Sequence, residues 1–152
     1  MHVTPMRLLG LGAIGPSSFN NSADGWRFSA DLWYALIDTM VAANLSLECT
    51  MYGVSWPADD QVPPQYINYF AGFESGADVE GFEALSVRGG NYFDFRCEVP
   101  ATELDTGFRE AYLVAMPKSG LTPREGQHLE VYGDEYDPSA EIARFRILIP
   151  VS

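Results

Sequence analysis

Cysteine and histidine are scarce in this chain of 152 residues, with two of each: Cys49 and Cys97, His2 and His128. The cysteines stand far apart, with no CxxC or Cys/His spacing around either, which argues against a zinc site or a disulfide framework. They are expected to be free, buried thiols acting as small hydrophobes. Two distant histidines cannot form a helical HExxH site, and neither a GxSxG elbow nor a Walker loop is present. No metal, cofactor or catalytic residue is therefore expected. Positive charge is also sparse: 9 Lys and Arg face 21 Asp and Glu, a net charge of −12. Such a field repels phosphate backbones and anionic lipid heads, so direct nucleic-acid and membrane binding are excluded. It favours cationic ligands or basic protein patches. Long hydrophobic runs are missing too. Leu8 to Ile14 is broken by glycines and too short for a signal peptide or membrane span, so the expectation is a soluble, cytoplasmic protein in a reducing compartment.

Apolar residues make up 47% of the chain and charged residues 20%, a globular balance. The length suits one domain, 1–152, large enough for a core of its own. Leu8 to Ile14 is expected to be a strand and Pro16 to Gly25 a loop. A helix follows, capped by Ser29, with Trp33, Leu36, Ile37, Met40 and Val41 along one face. Cys49 to Trp56 and Tyr66 to Phe73 are strands, around a loop holding Pro57, Asp59, Asp60, Pro63 and Pro64. Phe82 to Cys97 is a long strand or a hairpin turning near Gly89 and Gly90. A second helix opens at Pro100 and Thr102, where Thr102 and Asp105 have capping-box spacing. Leu104, Phe108, Ala111, Tyr112, Ala115 and Met116 line its apolar face, and Pro117 and Gly120 end it. His128 to Gly133 and Ala143 to Val151 are the last strands.

Both halves thus run strand, helix, strand, strand. At an offset of 80 residues Tyr52-Gly53 meets Tyr132-Gly133, Trp56 meets Tyr136, and Ile67 meets Ile147. The expected fold is α+β: a duplicated unit, with repeats near 1–75 and 82–151, forming one antiparallel sheet with both helices on one face around a pseudo-two-fold axis. A cleft between the halves would be aromatic, since the chain holds 3 Trp, 8 Tyr and 9 Phe. His128, Glu130 and Tyr132 alternate, so all three point to one side of their strand. If Tyr132 duplicates Tyr52, Glu130 stands among rings, although a strand glutamate alone is more often solvated. His128 is expected at the surface near a turn. Gly10, Gly12 and Gly15 have GxGxxG spacing, but Pro16 and a loop follow where a dinucleotide site needs a helix N-terminus. They are read as turn or bulge positions.

The second half carries a more specific string: Ala84 to Phe95 (Ala-Leu-Ser-Val-Arg-Gly-Gly-Asn-Tyr-Phe-Asp-Phe), Ala111-Tyr112, Pro117 to Gly120, His128 to Gly133 (His-Leu-Glu-Val-Tyr-Gly) and Arg146 to Val151 (Arg-Ile-Leu-Ile-Pro-Val). It resembles the GyrI-like family, the effector-binding domain of AraC-type and MerR-type transcription regulators. The resemblance is specific over 82–151 and looser over 1–75. It implies a cleft for small cationic, aromatic, hydrophobic molecules, with Glu130 meeting the positive charge. Tyr132 and Tyr112 match its motif positions, while Tyr52, Trp56, Tyr92, Phe145 and Trp33 are candidates from strand faces, the repeat and the helix stripe. No helix-turn-helix precedes the domain, so a stand-alone sensor or sequestering module is expected, read out through a DNA-binding regulator or another protein. The resemblance also leaves open a hydrolase of strained toxic molecules using Glu130, and an acidic inhibitor of the gyrase-inhibitor type.

Overall fold

The structure is a computed structural model that describes residues 1–17, 22–58 and 66–152. Its strands are β1 (His2–Val3), β2 (Met6–Pro16), β3 (Met51–Pro57), β4 (Tyr66–Glu74), β5 (Glu83–Val87), β6 (Gly90–Pro100), β7 (His128–Tyr132) and β8 (Ile142–Pro150). They join in one antiparallel sheet of order β1-β6-β8-β7-β3-β4-β2-β5. Helix α1 (Ser22–Ala42) lies between β2 and β3. Helix α2 (Leu104–Glu110), between β6 and β7, continues through a π-helical stretch, Ala111–Ala115, into a last turn at Met116–Lys118.

Two short links make the sheet curl. Only Thr4 and Pro5 separate β1, at one end of the strand order, from β2 near the other. Only Arg88 and Gly89 separate β5, at that other end, from β6. The sheet therefore bends until its ends approach, and its helix-free face closes on itself. Val3, Leu8, Val54, Phe70, Val87, Tyr92, Leu129, Val131 and Leu148, drawn from all eight strands, fill that face. The expected hairpin at Gly89 and Gly90 is thus absent, since β5 pairs with β2 and β6 with β8. Gln127 steadies the link instead, accepting from Arg88 N at 2.8 Å and donating to Ser86 O at 2.9 Å.

The other face carries both helices. Leu36 and Met40 of α1 pack on Tyr69 and Ala71 of β4. Ala111 and Met116 pack on Cys97, Phe145, Ile147 and Ile149. Facing follows from register, because opposed residues share a face and neighbours alternate. Leu11, Ala71, Gly53, Glu130, Ile147 and Phe95 form one row across six strands on the helix side. Gly107 lets α2 approach the sheet, since a Cβ there would run into Cys97 Sγ.

Several local expectations are corrected. Helix α1 begins by Ser22, inside the expected loop, with Asp24 in its first turn where the helix dipole favours an acid. Ser29 is not its cap, for its hydroxyl donates back to the Trp26 carbonyl at 3.2 Å. Val41 is exposed. No capping box forms at α2: Glu103 is the N-cap without a side-chain bond, and backbone turns from Glu103 N to Pro100 O and Thr106 N to Glu103 O take its place. Gly10, Gly12 and Gly15 are neither turns nor bulges but stand in the unbroken ladder of β2, where Gly10 meets Gly72. Both cysteines are free, Cys97 buried as expected but Cys49 exposed. The loop at Asp59, Asp60, Pro63 and Pro64 lies outside the described residues.

Strand order is symmetric about the β3–β7 contact. Outward on each side come the strand that ends the half, the strand before the helix, and a short edge strand. A two-fold axis would give that order, but the 80-residue offset does not fit it. Tyr52 opposes Val131 while Tyr132 opposes Met51, so the two tyrosines lie on opposite faces.

Candidate functional site

Between the helices, on the sheet's helix-bearing face, lies a cavity of about 1450 Å³. One wall is α1, through Trp26, Phe28, Trp33 and Ile37, and the other is the second helix, through Leu104, Phe108 and Tyr112. Trp26 meets Phe108 edge-on across the top, ring centroids 5.6 Å apart. The floor is the central strands, with Ser55, Tyr69, His128, Glu130 and Tyr132. Among the described lining residues Glu130 is the one carboxylate, and no Lys or Arg is present.

A missing side chain creates the geometry around Glu130. Glu130 stands opposite Gly53, and Tyr69 stands opposite Ser55 on the next strand. Because Gly53 has no side chain, Tyr69 reaches over β3 and donates its hydroxyl to Glu130 Oε1 at 3.0 Å. A Cβ on Gly53 would come within 2.5 Å of that hydroxyl and 2.9 Å of the carboxyl carbon. Tyr132, two residues along β7, donates to the same oxygen at 2.6 Å. Trp33 Nε1 donates to the Tyr69 hydroxyl at 3.0 Å, tying α1 to the carboxylate through one relay. The other oxygen, Oε2, has no protein partner and no counter-ion among the described residues, yet is not sealed from the cavity.

Burial raises the Glu130 pKa above the ordinary carboxylate value, and the two tyrosine hydroxyls pull it partly back. Desolvation and then the Glu130 charge push Tyr69 well above the usual phenol range. Tyr132 moves the same way for the same leading causes. Both phenols therefore remain hydrogen-bond donors at neutral pH. The Tyr132 ring is itself held, stacked on Phe145 at 5.1 Å and met edge-on by Trp33 at 5.5 Å and Tyr136 at 4.9 Å. An electron-rich enclosure around one desolvated carboxylate suits an organic cation, which gains ion pairing and cation–π attraction of roughly 0.5–2 kcal/mol.

Of the residues singled out in the sequence, Trp56 borders the cavity but packs its side chain with Tyr52 and Val54 on the closed face, whereas Glu130, Tyr132, Tyr112 and Trp33 line it. Tyr52, Tyr92 and Phe145 do not. Tyr52 shares the closed face with Val131. Tyr92 is 1% exposed in the closed core, its ring under Arg124 at 5.4 Å. Phe145 is buried behind Tyr132 and backs the wall. His128 corrects the surface reading: it lines the cavity, stacked on Tyr112 with Nδ1 2.7 Å from the tyrosine hydroxyl. Sequence reading also missed Tyr69, Trp26, Phe28 and Tyr136. The available signal for Tyr69 was a glycine inside a strand, which marks a close approach by another group.

The model of the GyrI-like small molecule binding domain matches residues 1–152. The chain belongs to that family. Among curated proteins none matches this GyrI-like sequence. Solved structures share its fold at low identity. The protein SAV2435, bound to tetraphenylphosphonium, superposes with a TM-score of 0.77 at 15% identity, covering 100% of this chain and 92% of that one. A transcription regulation protein of Staphylococcus aureus gives 0.75 at 15%, covering 100% and 95%. An integron cassette protein of Vibrio cholerae gives 0.67 at 12%, covering 100% and 94%. No helix among the described residues is long and apolar enough to cross a membrane.

Proposed function

We propose that this GyrI-like domain captures small, hydrophobic, aromatic cations between its two helices, with Glu130 as counter-charge and Trp33, Tyr69, Tyr112 and Tyr132 as the enclosing wall. One observation carries the reading: a desolvated carboxylate with one oxygen open to an aromatic cavity, and no basic side chain among the described lining residues. A neutral ligand would leave that charge uncompensated, whereas a cation supplies what burial removed. SAV2435, similar in fold, holds tetraphenylphosphonium, and that supports the same ligand class here. The cleft is the seam between two halves, near 1–75 and 82–151, of a single domain. The role is non-catalytic: sensing or sequestration in the cytoplasm, passed on by a DNA-binding regulator or another protein.

A thermal-shift titration with tetraphenylphosphonium tests this, followed by mass spectrometry of the recovered compound. Binding to the folded state alone raises the melting temperature with ligand concentration. The expected result is a graded rise with the compound recovered intact. An unchanged melting temperature contradicts the capture, and a hydrolysed product contradicts the non-catalytic role.

A further inference from the structure

The floor of the cavity carries a second polar station beside the carboxylate. His128 lies two residues before Glu130 on β7, so their side chains project from the same face about 7 Å apart. Its Nδ1 is 2.7 Å from the Tyr112 hydroxyl and its ring stacks on the Tyr112 ring, centroids 5.6 Å apart and 23° from parallel. The imidazole is thus fixed in position and orientation by one neighbour. Its other nitrogen, Nε2, has no partner among the described residues and is not sealed off. A ligand large enough to lie along the floor meets both stations.

The Tyr112 contact also fixes which nitrogen carries the proton. A neutral imidazole nitrogen is a stronger base than a phenol oxygen, so the better hydrogen bond runs from the Tyr112 hydroxyl to Nδ1. That leaves the hydrogen on Nε2, in accord with the rule that the bond at one ring nitrogen sets the state of the other. Burial and then the charge of Arg124 hold the His128 pKa below its ordinary value, which keeps the ring neutral at pH 7. Burial, then the Glu130 charge, raises the Tyr112 pKa, so the phenol retains the proton it donates.

We infer that His128 is a specificity-determining residue: its Nε2–H selects cations carrying a hydrogen-bond acceptor about one strand period from the positive centre. The inference rests on the cation reading of Glu130 and narrows it, from aromatic cations in general to bifunctional ones.

The test is a calorimetric titration of the whole chain with two probes of similar shape, (4-acetylphenyl)trimethylammonium and (4-isopropylphenyl)trimethylammonium. The first places a ketone oxygen across the ring from the ammonium, and the second replaces it with a methyl group. The wild type is expected to prefer the ketone by about fivefold, the value of one neutral hydrogen bond. His128→Phe keeps a flat ring against Tyr112, removes Nε2–H and should bring the ratio of the two affinities to about one, whatever it does to both in common. Equal affinities in the wild type, or a preference that survives His128→Phe, overturn the inference while leaving the cation site standing. If the wild type binds neither cation, the cation reading fails and this one with it. If His128→Phe binds neither probe, His128→Gln decides. Its side-chain amide N–H can still reach a ligand acceptor from that position, so a retained preference for the ketone supports the assignment, and equal affinities overturn it.

Discussion

Replacing Glu130 by Gln changes little but charge. The amide oxygen can still accept from Tyr69 and Tyr132, whose hydroxyls lie 3.0 and 2.6 Å from Oε1. A bulky aryl cation keeps its centre about 6 Å from the carboxylate, where an effective dielectric near 20 gives an attraction of about 3 kcal/mol. Losing it should weaken tetraphenylphosphonium binding roughly a hundredfold. Triphenylphosphine oxide, an uncharged aryl analogue, should change by no more than about threefold, within the ±0.5 kcal/mol scatter of unrelated substitutions. Calorimetry at about 0.15 M salt separates the local pair from the field of the net −12 charge, which is screened beyond about 8 Å. Folding stability should hold or rise. The folded pKa of Glu130 lies above its unfolded value, so ionising it within the fold costs stability, and that cost is relieved as pH falls through the raised pKa. Gln never bears it. Equal losses for the phosphonium and the oxide would refute the reasoning, since Glu130 would then be holding the cavity's shape rather than meeting a charge.

Other consequences are open to measurement. Tyr69→Phe removes a hydroxyl that lowers the Glu130 pKa, so the acid limb of cation affinity should move to higher pH and affinity at neutral pH fall by about three- to tenfold. An unshifted limb in a calorimetric pH series would argue against the relay. Gly53→Ala places a Cβ 2.9 Å from the Glu130 carboxyl carbon and should destabilise by about 1–3 kcal/mol in urea unfolding. Gly133→Ala, whose Cβ has nothing nearer than Thr50 Oγ1 at 3.9 Å, should unfold like the wild type, and matching losses for both would argue against the close approach. In the wild type, phosphonium affinity should be flat above the raised Glu130 pKa and fall below it, with a proton released on binding in that window. Affinity that increases on acidification would contradict the ionised carboxylate as the contact.

How much of this was legible in the sequence differs by level. Helical stripes at Trp33, Leu36 and Met40 and at Phe108, Ala111 and Tyr112 placed both helices, because each must bury a single apolar face. Alternation along His128, Glu130 and Tyr132 placed three cavity residues on one face, because strand side chains keep a period of two. Across strands that logic failed. Which residue of β3 opposes Glu130 depends on register, and the repeated Tyr-Gly pair suggested one that puts Tyr52 on the cavity side. The actual pairing puts Gly53 there and turns Tyr52 to the closed face. Tyr92 was misplaced in the same way, since a sheet that curls on itself buries aromatic residues on the face away from the helices too. Tyr69 could not be assigned because its partner lies two strands away, and only the bare backbone at Gly53 lets them meet.

The central claim, a cavity that selects positive charge, is tested most directly by comparing tetraphenylphosphonium with tetraphenylborate. The two ions share shape and apolar surface and differ in sign. The wild-type domain should bind the phosphonium at least about a hundredfold more tightly, and the margin should shrink when Glu130 becomes Gln. Equal binding of the two ions, or a preference for the borate, would contradict it.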